Sequence, residues 1–246
     1  MNKTPFLKAS IVTDLGFGDS GKGLVVDYLC SKIDSWALPL VVRMNSGHQV
    51  GHTVIHNGEK HTFSNFGSGT LRGIPTYYGK NTVMYPYGFM NELATLSREP
   101  SVIYHPLAMV ATPYDVAWNQ TLEEANEHGS VGVGYGATVT RNMDGVGLSV
   151  KDLFNDWVTV TKLQGIRDYY RDKATRAGNY ENYLAVLREN VQPENVIPSF
   201  KDVVSFIDVA RLEDLIVTHD NLIFEGNQGI CLDKFEGFYP HLTWAD

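Results

Sequence analysis

Ala9-Ser-Ile-Val-Thr-Asp-Leu-Gly-Phe-Gly-Asp-Ser-Gly-Lys-Gly23 is the stretch on which the fold turns. It opens with a short β-branched run suited to a strand, and its middle is rich in glycine. Beyond it Leu24, Val25, Val26, Tyr28 and Leu29 recur with the spacing of a helical apolar face. Strand, glycine loop and helix in that order make a phosphate-binding unit. Gly16 and Gly21, ahead of Lys22 and Gly23, let the backbone curl so that successive N–H groups face one anion, and the helix N-terminus adds its dipole. Lys22 supplies a mobile point charge for a β- or γ-phosphate. An ordinary P-loop carries Ser or Thr after the lysine to hold Mg²⁺. Gly23 stands there instead, so the metal needs another ligand, and Asp19 inside the loop is the candidate.

Outward from this unit, Leu38-Pro-Leu-Val-Val-Arg43 reads as a strand buried on both faces. It leads into Asn45-Ser-Gly-His-Gln-Val-Gly-His-Thr53. His48 and His52 have the spacing of a helical metal pair, but no Glu or Cys completes a zinc set and the two glycines argue for a loop. A loop histidine at a strand's carboxyl end is placed for proton transfer. Thr53 to Phe63 reads as a hairpin closed by Asn57-Gly58, the residues of a type I′ turn. Thr82 to Met84 and Ser101 to His105 are short strand candidates. Asp115 to His128 and Asp152 to Glu189 read as helical, interrupted by a glycine-rich stretch from Gly129 to Gly147. Pro193 and Pro198 mark a return to strand, and Leu215 to Val217 and Asn221 to Phe224 read as core elements. Phe224-Glu-Gly-Asn-Gln-Gly229 is again a strand running into a glycine turn. It sets Glu225, Asn227 and Gln228 in the crevice outside a strand's carboxyl end, where open α/β sheets bind ligands. The expected architecture is one α/β domain over residues 1–246, with a mostly parallel, P-loop NTPase-like central sheet and a helical insertion over about 113–190.

Composition narrows the function classes. With 43% hydrophobic and 20% charged residues among 246, 23 Gly and 10 Pro, collagen-like and largely disordered readings fail. No apolar run reaches the length of a spanning helix, and the N-terminus carries no apolar signal segment, so a cytoplasmic chain without a membrane partner is expected. Twenty Lys and Arg against 28 Asp and Glu give a net charge of −8, which argues against a nucleic-acid surface but not against a phosphorylated small ligand held by one loop. Cys30 in a helix and Cys231 in a strand read as core thiols of a reducing compartment.

Taken together and in order, these segments resemble the adenylosuccinate synthetase family. Its WGDEGKGK loop stands here as Phe17-Gly-Asp-Ser-Gly-Lys-Gly-Leu24, and its GGHNAGHT loop as Ser46-Gly-His-Gln-Val-Gly-His-Thr53. Its LxPSGIL segment stands as Phe66-Gly-Ser-Gly-Thr-Leu71 and its GTTGRG loop as Gly129-Ser-Val-Gly-Val-Gly-Tyr-Gly136. Its FEGAQGxxLD and YPxVTSSN segments stand as Phe224-Glu-Gly-Asn-Gln-Gly-Ile-Cys-Leu-Asp233 and Tyr239-Pro-His-Leu-Thr-Trp-Ala-Asp246.

The resemblance implies a GTP-driven ligase that joins IMP to L-aspartate through a 6-phosphoryl-IMP intermediate, with Mg²⁺ as cofactor and a homodimeric assembly. It implies that Asp19 is the base and a Mg²⁺ ligand, His52 the general acid and Lys22 the stabiliser of the transferring phosphoryl group. Gly51 would offer its carbonyl to Mg²⁺. Gly18, Ser20, Gly21, Lys22, Gly23, Gly51 and Thr53 would contact nucleotide phosphate. Gln49, Ser130, Val131, Arg141, Asn227, Gln228 and Thr243 would face the IMP-like substrate. Several positions depart from the family pattern. Ser20 replaces Glu, Gln49 replaces Asn, Val131 replaces a phosphate-binding Thr and Val133 replaces Arg. Gly145 stands where the family sends an arginine to the neighbouring subunit's substrate, leaving Arg141 as the nearest substitute. These changes leave the phosphoryl-transfer centre and alter the monophosphate pocket. Two alternatives follow: a phage-type variant that acts on dGMP with ATP to make a 2-aminoadenine precursor, and a P-loop nucleotide-binding protein without ligase activity. The chain also stops before the family's aspartate-binding loop and TKxD guanine-reading segment, as a fragment or a shortened homologue would.

Overall fold

The computed structural model describes residues 7–45, 47–126, 131–187, 191–239 and 242–243, with backbone only for 124–126. The chain begins with β1 (Lys8–Asp14), α1 (Lys22–Ser31) and β2 (Pro39–Arg43). The hairpin β3 (His52–His56) and β4 (Glu59–Phe63) follows, then β5 (Thr76–Tyr78), β6 (Val83–Met84), α2 (Pro86–Leu93), β7 (Val102–Tyr104) and β8 (Met109–Val110). Four helices come next: α3 (Pro113–Asn126), α4 (Tyr135–Met143), α5 (Asp156–Arg176) and α6 (Tyr180–Leu187). The last elements are α7 (Pro193–Val204), β9 (Ile207–Val209), α8 (Leu212–Leu215) and β10 (Asn221–Gly229).

Six strands form one sheet in the order β1-β10-β2-β5-β7-β9, and every neighbouring pair in it is parallel. A parallel sheet needs cover on both faces, and the alternation along the central strands provides it. Val41 and Ile223 join Val12, Val26 and Cys30 under α1. Leu40, Val42 and Leu222 point the other way with Tyr77 and Ile103, and Leu212 and Leu215 of α8 pack on them. A larger cluster runs from Val54 and Phe66 through Tyr104, Tyr114 and Leu163 to Phe200 and binds α2, α3, α5 and α7 to the sheet. Because the strands run parallel, the loops that leave β1, β2 and β10 emerge at the same edge.

Several local expectations change. Pro193 sits in the first turn of α7, where its missing N–H has no intrahelical partner to lose, so it opens a helix rather than a strand. Pro198 is carried inside the same helix, whose buried Val196, Phe200 and Val203 outweigh the lost hydrogen bond. The glycine-rich stretch contains α4, which starts after Gly134, a left-handed residue with φ 82°. Leu215 ends α8 instead of lying in a strand, and Val217 beyond it is 80% exposed. Cys231 lies half-buried in a 3₁₀ turn over Ile230–Leu232, and both it and Cys30 are free thiols. Burial pushes the Cys30 thiol up to about 12, so it stays protonated and inert. The Asn57-Gly58 turn has φ 50° and 84°, as a type I′ hairpin requires.

Candidate active site

β1 ends at Asp14, and the chain then coils through Gly18, Asp19 and Gly21, whose φ angles are 102°, 58° and 84°. Asp19 takes this left-handed conformation without being glycine, a strain of the kind found at functional loops. Gly21 caps α1 and no side chain accepts from the first turn, so the helix presents its N–H groups to the cleft. The next residue, Lys22, is buried, and its Nζ donates to Asp14 Oδ2 at 3.3 Å. Gly23 has a steric reason to be glycine. A Cβ there would meet His52 Cβ at 3.0 Å, Ser68 Oγ at 3.1 Å and the Thr53 carbonyl at 3.2 Å. The β3 hairpin lies where a P-loop Ser or Thr would stand.

His52, the first residue of β3, is buried beside β10. Its Nδ1 lies 2.6 Å from Glu225 Oε1 and its Nε2 lies 3.2 Å from the Asn227 carbonyl. Both neighbours are acceptors, so the doubly protonated ring satisfies both contacts by donating from each nitrogen. Glu225 also accepts from the Ser68 N–H at 3.2 Å and from the Ser68 hydroxyl. Burial pushes the Glu225 carboxyl up, but the His52 hydrogen bond, the nearby charges of Arg43 and His52 and the Ser68 hydroxyl together hold it below the usual glutamate value. Asn227 is fixed in turn: it accepts from Arg43 Nη2 at 3.4 Å and donates to Asn45 Oδ1 at 3.1 Å and to the Asn45 carbonyl. Arg43 is fully buried and also donates to the Ser64 and Phe66 carbonyls, both at 3.3 Å. This arginine braces the site from beneath.

These pieces wall a cleft of about 330 Å³. Gly18, Asp19, Gly21, Lys22 and Gly23 come from the glycine loop and the start of α1, Gln49 and Gly51 from the loop entering β3, and His52 and Thr53 from the start of β3. Asn227 and Gln228 come from β10. Both amide atoms of Gln49 and the Oε1 of Gln228 are buried without a hydrogen-bond partner. Such orphaned groups are uncommon in a native fold, and here they line a polar cleft, so they fit a ligand's donors and acceptors.

The other expected residues lie elsewhere. Ser20 is on the exposed loop flank, its N–H donating to Asp14 Oδ2 at 3.2 Å. Val131 is 69% exposed and outside the cleft wall, as is Thr243, whose N–H donates to the Leu232 carbonyl. Ser130 falls outside the described residues. Arg141 lies away from the cleft wall. Its fully buried guanidinium pairs with Asp115 at 2.8 Å and donates to the Val110 carbonyl at 3.0 Å and to the Val146 carbonyl, while Tyr170 bonds the same carboxylate at 2.7 Å. It staples α3 to α4, and its buried guanidinium is committed to these internal partners. Asp14 and the His52–Glu225 contact were not singled out in the sequence.

No group of three or more His, Cys, Asp or Glu able to hold a metal occurs among the described residues. The donor set of Asp19 and the Gly51 carbonyl still fits Mg²⁺, which keeps several waters and takes phosphate oxygens in place of a protein cage. A larger cavity of about 850 Å³ lies between α5 and α6, lined by Arg167, Arg171, Tyr180 and Tyr183, and contains none of these groups. Size and chemistry therefore point to different places, and the chemistry decides.

A glycine loop between strand and helix, opening at the carboxyl edge of a parallel sheet beside a histidine–carboxylate pair, defines an α/β protein with a P-loop-like strand–loop–helix unit. The chain belongs to the adenylosuccinate synthetase family, whose model matches residues 11–246. It is 33% identical to the adenylosuccinate synthetase of Histophilus somni strain 2336, over 96% of this chain and 55% of that protein. It is 32% identical to that of Pasteurella multocida strain Pm70, with the same coverage. The chain thus spans about half the length of the curated relatives it matches. Among solved structures, the fold is similar to the fully ligated adenylosuccinate synthetase of Plasmodium falciparum, with TM-score 0.73 and 20% identity over 97% of this chain and 55% of that one. It is also similar to the succinoaminodeoxyadenylate synthetase of cyanophage S-2L, bound to dGMP and dATP, with TM-score 0.64 and 18% identity over 98% and 57%. Among the described residues no helix is long and apolar enough to cross a membrane.

Proposed function

We propose that this chain carries the phosphoryl-transfer centre of a purine-nucleotide ligase, which condenses IMP with L-aspartate at the expense of GTP. The observation that carries the reading is the convergence of Asp19, Lys22 and His52 on one cleft, with His52 held by Glu225. Asp19 takes the N1 proton of the purine, which makes the 6-oxygen nucleophilic. The oxygen–phosphorus bond to the γ-phosphate forms as the bond to the β-phosphate bridging oxygen breaks, and GDP leaves. The aspartate amine then attacks C6 and inorganic phosphate departs with the 6-oxygen. Lys22 and the uncapped first turn of α1 stabilise charge on the phosphates, and His52 donates a proton toward the 6-oxygen. To do so its Nε2–H turns from the Asn227 carbonyl toward the cleft, a short move for a ring pivoting on Glu225. Asp19 and the Gly51 carbonyl would hold Mg²⁺, which supplies charge neutralisation on the phosphates.

The unpartnered amide of Gln49 and the unpartnered Oε1 of Gln228 would read the monophosphate substrate. The partners on this reading are small molecules and a second copy of the chain. Retention of Asp19 favours the IMP reaction over the dGMP variant. The test is phosphate release with GTP or ATP, and with IMP or dGMP, in the presence and absence of aspartate. Release with GTP and IMP that requires aspartate is expected. Aspartate-independent release, or none, under all four pairings overturns the ligase reading, and a requirement for dGMP and ATP moves the chain to the phage-type reaction.

A further inference from the structure

The glycine loop already encloses an anion, and that anion is part of the chain. Asp14 Oδ1 accepts the Gly16 N–H at 2.8 Å, while Oδ2 accepts the Ser20 N–H at 3.2 Å and the Lys22 ammonium at 3.3 Å. The two side chains are nearly sealed from solvent, 1% exposed for Asp14 and 4% for Lys22. These loop donors and the loop's cation, the groups a bound phosphate recruits in such a loop, thus converge on one carboxylate. The Gly16 hydrogen bond outweighs the cost of burial, and with Ser20 and Lys22 it holds the Asp14 carboxyl well below the usual carboxylate range. The charge is therefore present at any working pH.

The geometry points to Asp14 as the positioning residue of Lys22, an internal stand-in for a phosphate oxygen that holds the ammonium and the loop amides in place and competes with incoming phosphate for the lysine. The inference rests on the phosphate-binding reading of the loop and deepens it. Two consequences oppose each other. With its charge compensated inside the fold, Lys22 binds phosphate more weakly than a free lysine. In exchange it is held at the loop, so that little orientation remains to be acquired when the phosphoryl group transfers.

Asp14→Asn removes the charge and keeps the shape. Inorganic tripolyphosphate, with no divalent cation added, is the binding probe, read by calorimetry on the full chain. Asp14→Asn is expected to bind it about tenfold more tightly, the low end of what a charge-assisted hydrogen bond contributes. In turnover its KM for nucleoside triphosphate should fall and its kcat should fall as well. A purely structural aspartate would weaken binding instead. The tightening should vanish when Lys22→Met is added. Because Asp14→Asn can destabilise the loop, the wild-type chain supplies a second readout: tripolyphosphate should shift the Asp14 carboxyl ¹³C resonance together with the Gly16 and Ser20 amides. Binding by the wild type with unchanged or weaker binding by Asp14→Asn, or an unmoved Asp14 resonance, overturns this inference and leaves the loop reading standing. No binding by the wild-type chain overturns both.

Discussion

Gly229 tests the site more severely than any charged residue. It closes β10 opposite Asp14, and the glycine loop folds directly over it. A Cβ at 229 would lie 1.9 Å from the Gly16 carbonyl oxygen, 2.5 Å from its carbon and 2.5 Å from the Gly18 nitrogen. All three are backbone atoms, so no side chain can swing away to make room. An ordinary carbon–oxygen contact is about 3.3 Å, so in Gly229→Ala the loop must retreat by about 1.4 Å. Overpacking of this kind costs about 1–3 kcal/mol, or roughly 2–12 °C in melting temperature for a chain of this size. A displacement on the order of 1 Å in a positioned catalytic group costs about 100-fold in rate. Calorimetric titration with nucleoside triphosphate, a thermal melt and a phosphate-release assay on the same preparation separate the two effects. The expected result is a folded protein with modestly lowered melting temperature and about 100-fold lower turnover. Gly165→Ala is the control. It lies inside α5 with nothing within 4 Å of its added Cβ, and it should gain about 1 kcal/mol. Wild-type nucleotide affinity and turnover in Gly229→Ala would refute the contact between β10 and the loop.

Three further outcomes follow from the same geometry. Glu225→Gln keeps the size of the side chain but removes the charge facing His52, so turnover should drop about 10–100-fold while tripolyphosphate still binds; unchanged turnover would take His52 orientation out of Glu225's role. Arg141→Met leaves Asp115 buried without its cation and should cost about 3–5 kcal/mol, with nucleotide affinity in the surviving folded fraction unchanged; a selective loss of substrate affinity at full stability would return Arg141 to the site. Asp14 and Glu225 both hold their carboxyls below the unfolded values of about 3.9 and 4.3. Their stabilisation is therefore complete above about pH 5 and is lost as pH falls below 4, by up to about 1.4 kcal/mol per pH unit for each group. Denaturant melts from pH 7 to pH 3 should show that decline, and a flat profile would contradict it.

The elements that sequence reveals most directly are those whose signals are local. The β1–loop–α1 unit carries its glycines, lysine and helical apolar face within one short window, and Asn57-Gly58 announces its hairpin by the backbone angles it tolerates. β5 and β9 escape because three residues leave no alternation to count. α7 escapes because its prolines look like breakers, although a first-turn proline costs a helix nothing. The site divides along the same line. Asp19, Lys22 and His52 lie in or directly after glycine-rich loops with their own signatures, and all three line one cleft. Arg141 resembled an available cation because its partner Asp115 lies 26 residues away. Glu225 acts through contacts to His52 and Ser68 made only after the strands align, and no spacing rule encodes those.

The strand order also sets a sequence in time. Among the described residues β1, which carries the glycine loop, has one neighbour in the sheet, and that neighbour is β10. β1 thus waits for a strand more than 200 residues further along the chain before it pairs with it. Until residues 221–229 arrive, Asp14 lacks its place opposite Gly229, and His52 lacks the carboxylate that holds its ring. Closing such a long loop makes the pairing slow, and the apolar flank of β1 stays open to wrong partners meanwhile. A ribosome stalled before residue 221 would display a nascent chain with its helices formed and its phosphate loop unfinished. Acquisition of nucleotide affinity during synthesis should therefore be abrupt and coincide with the emergence of residues 221–229.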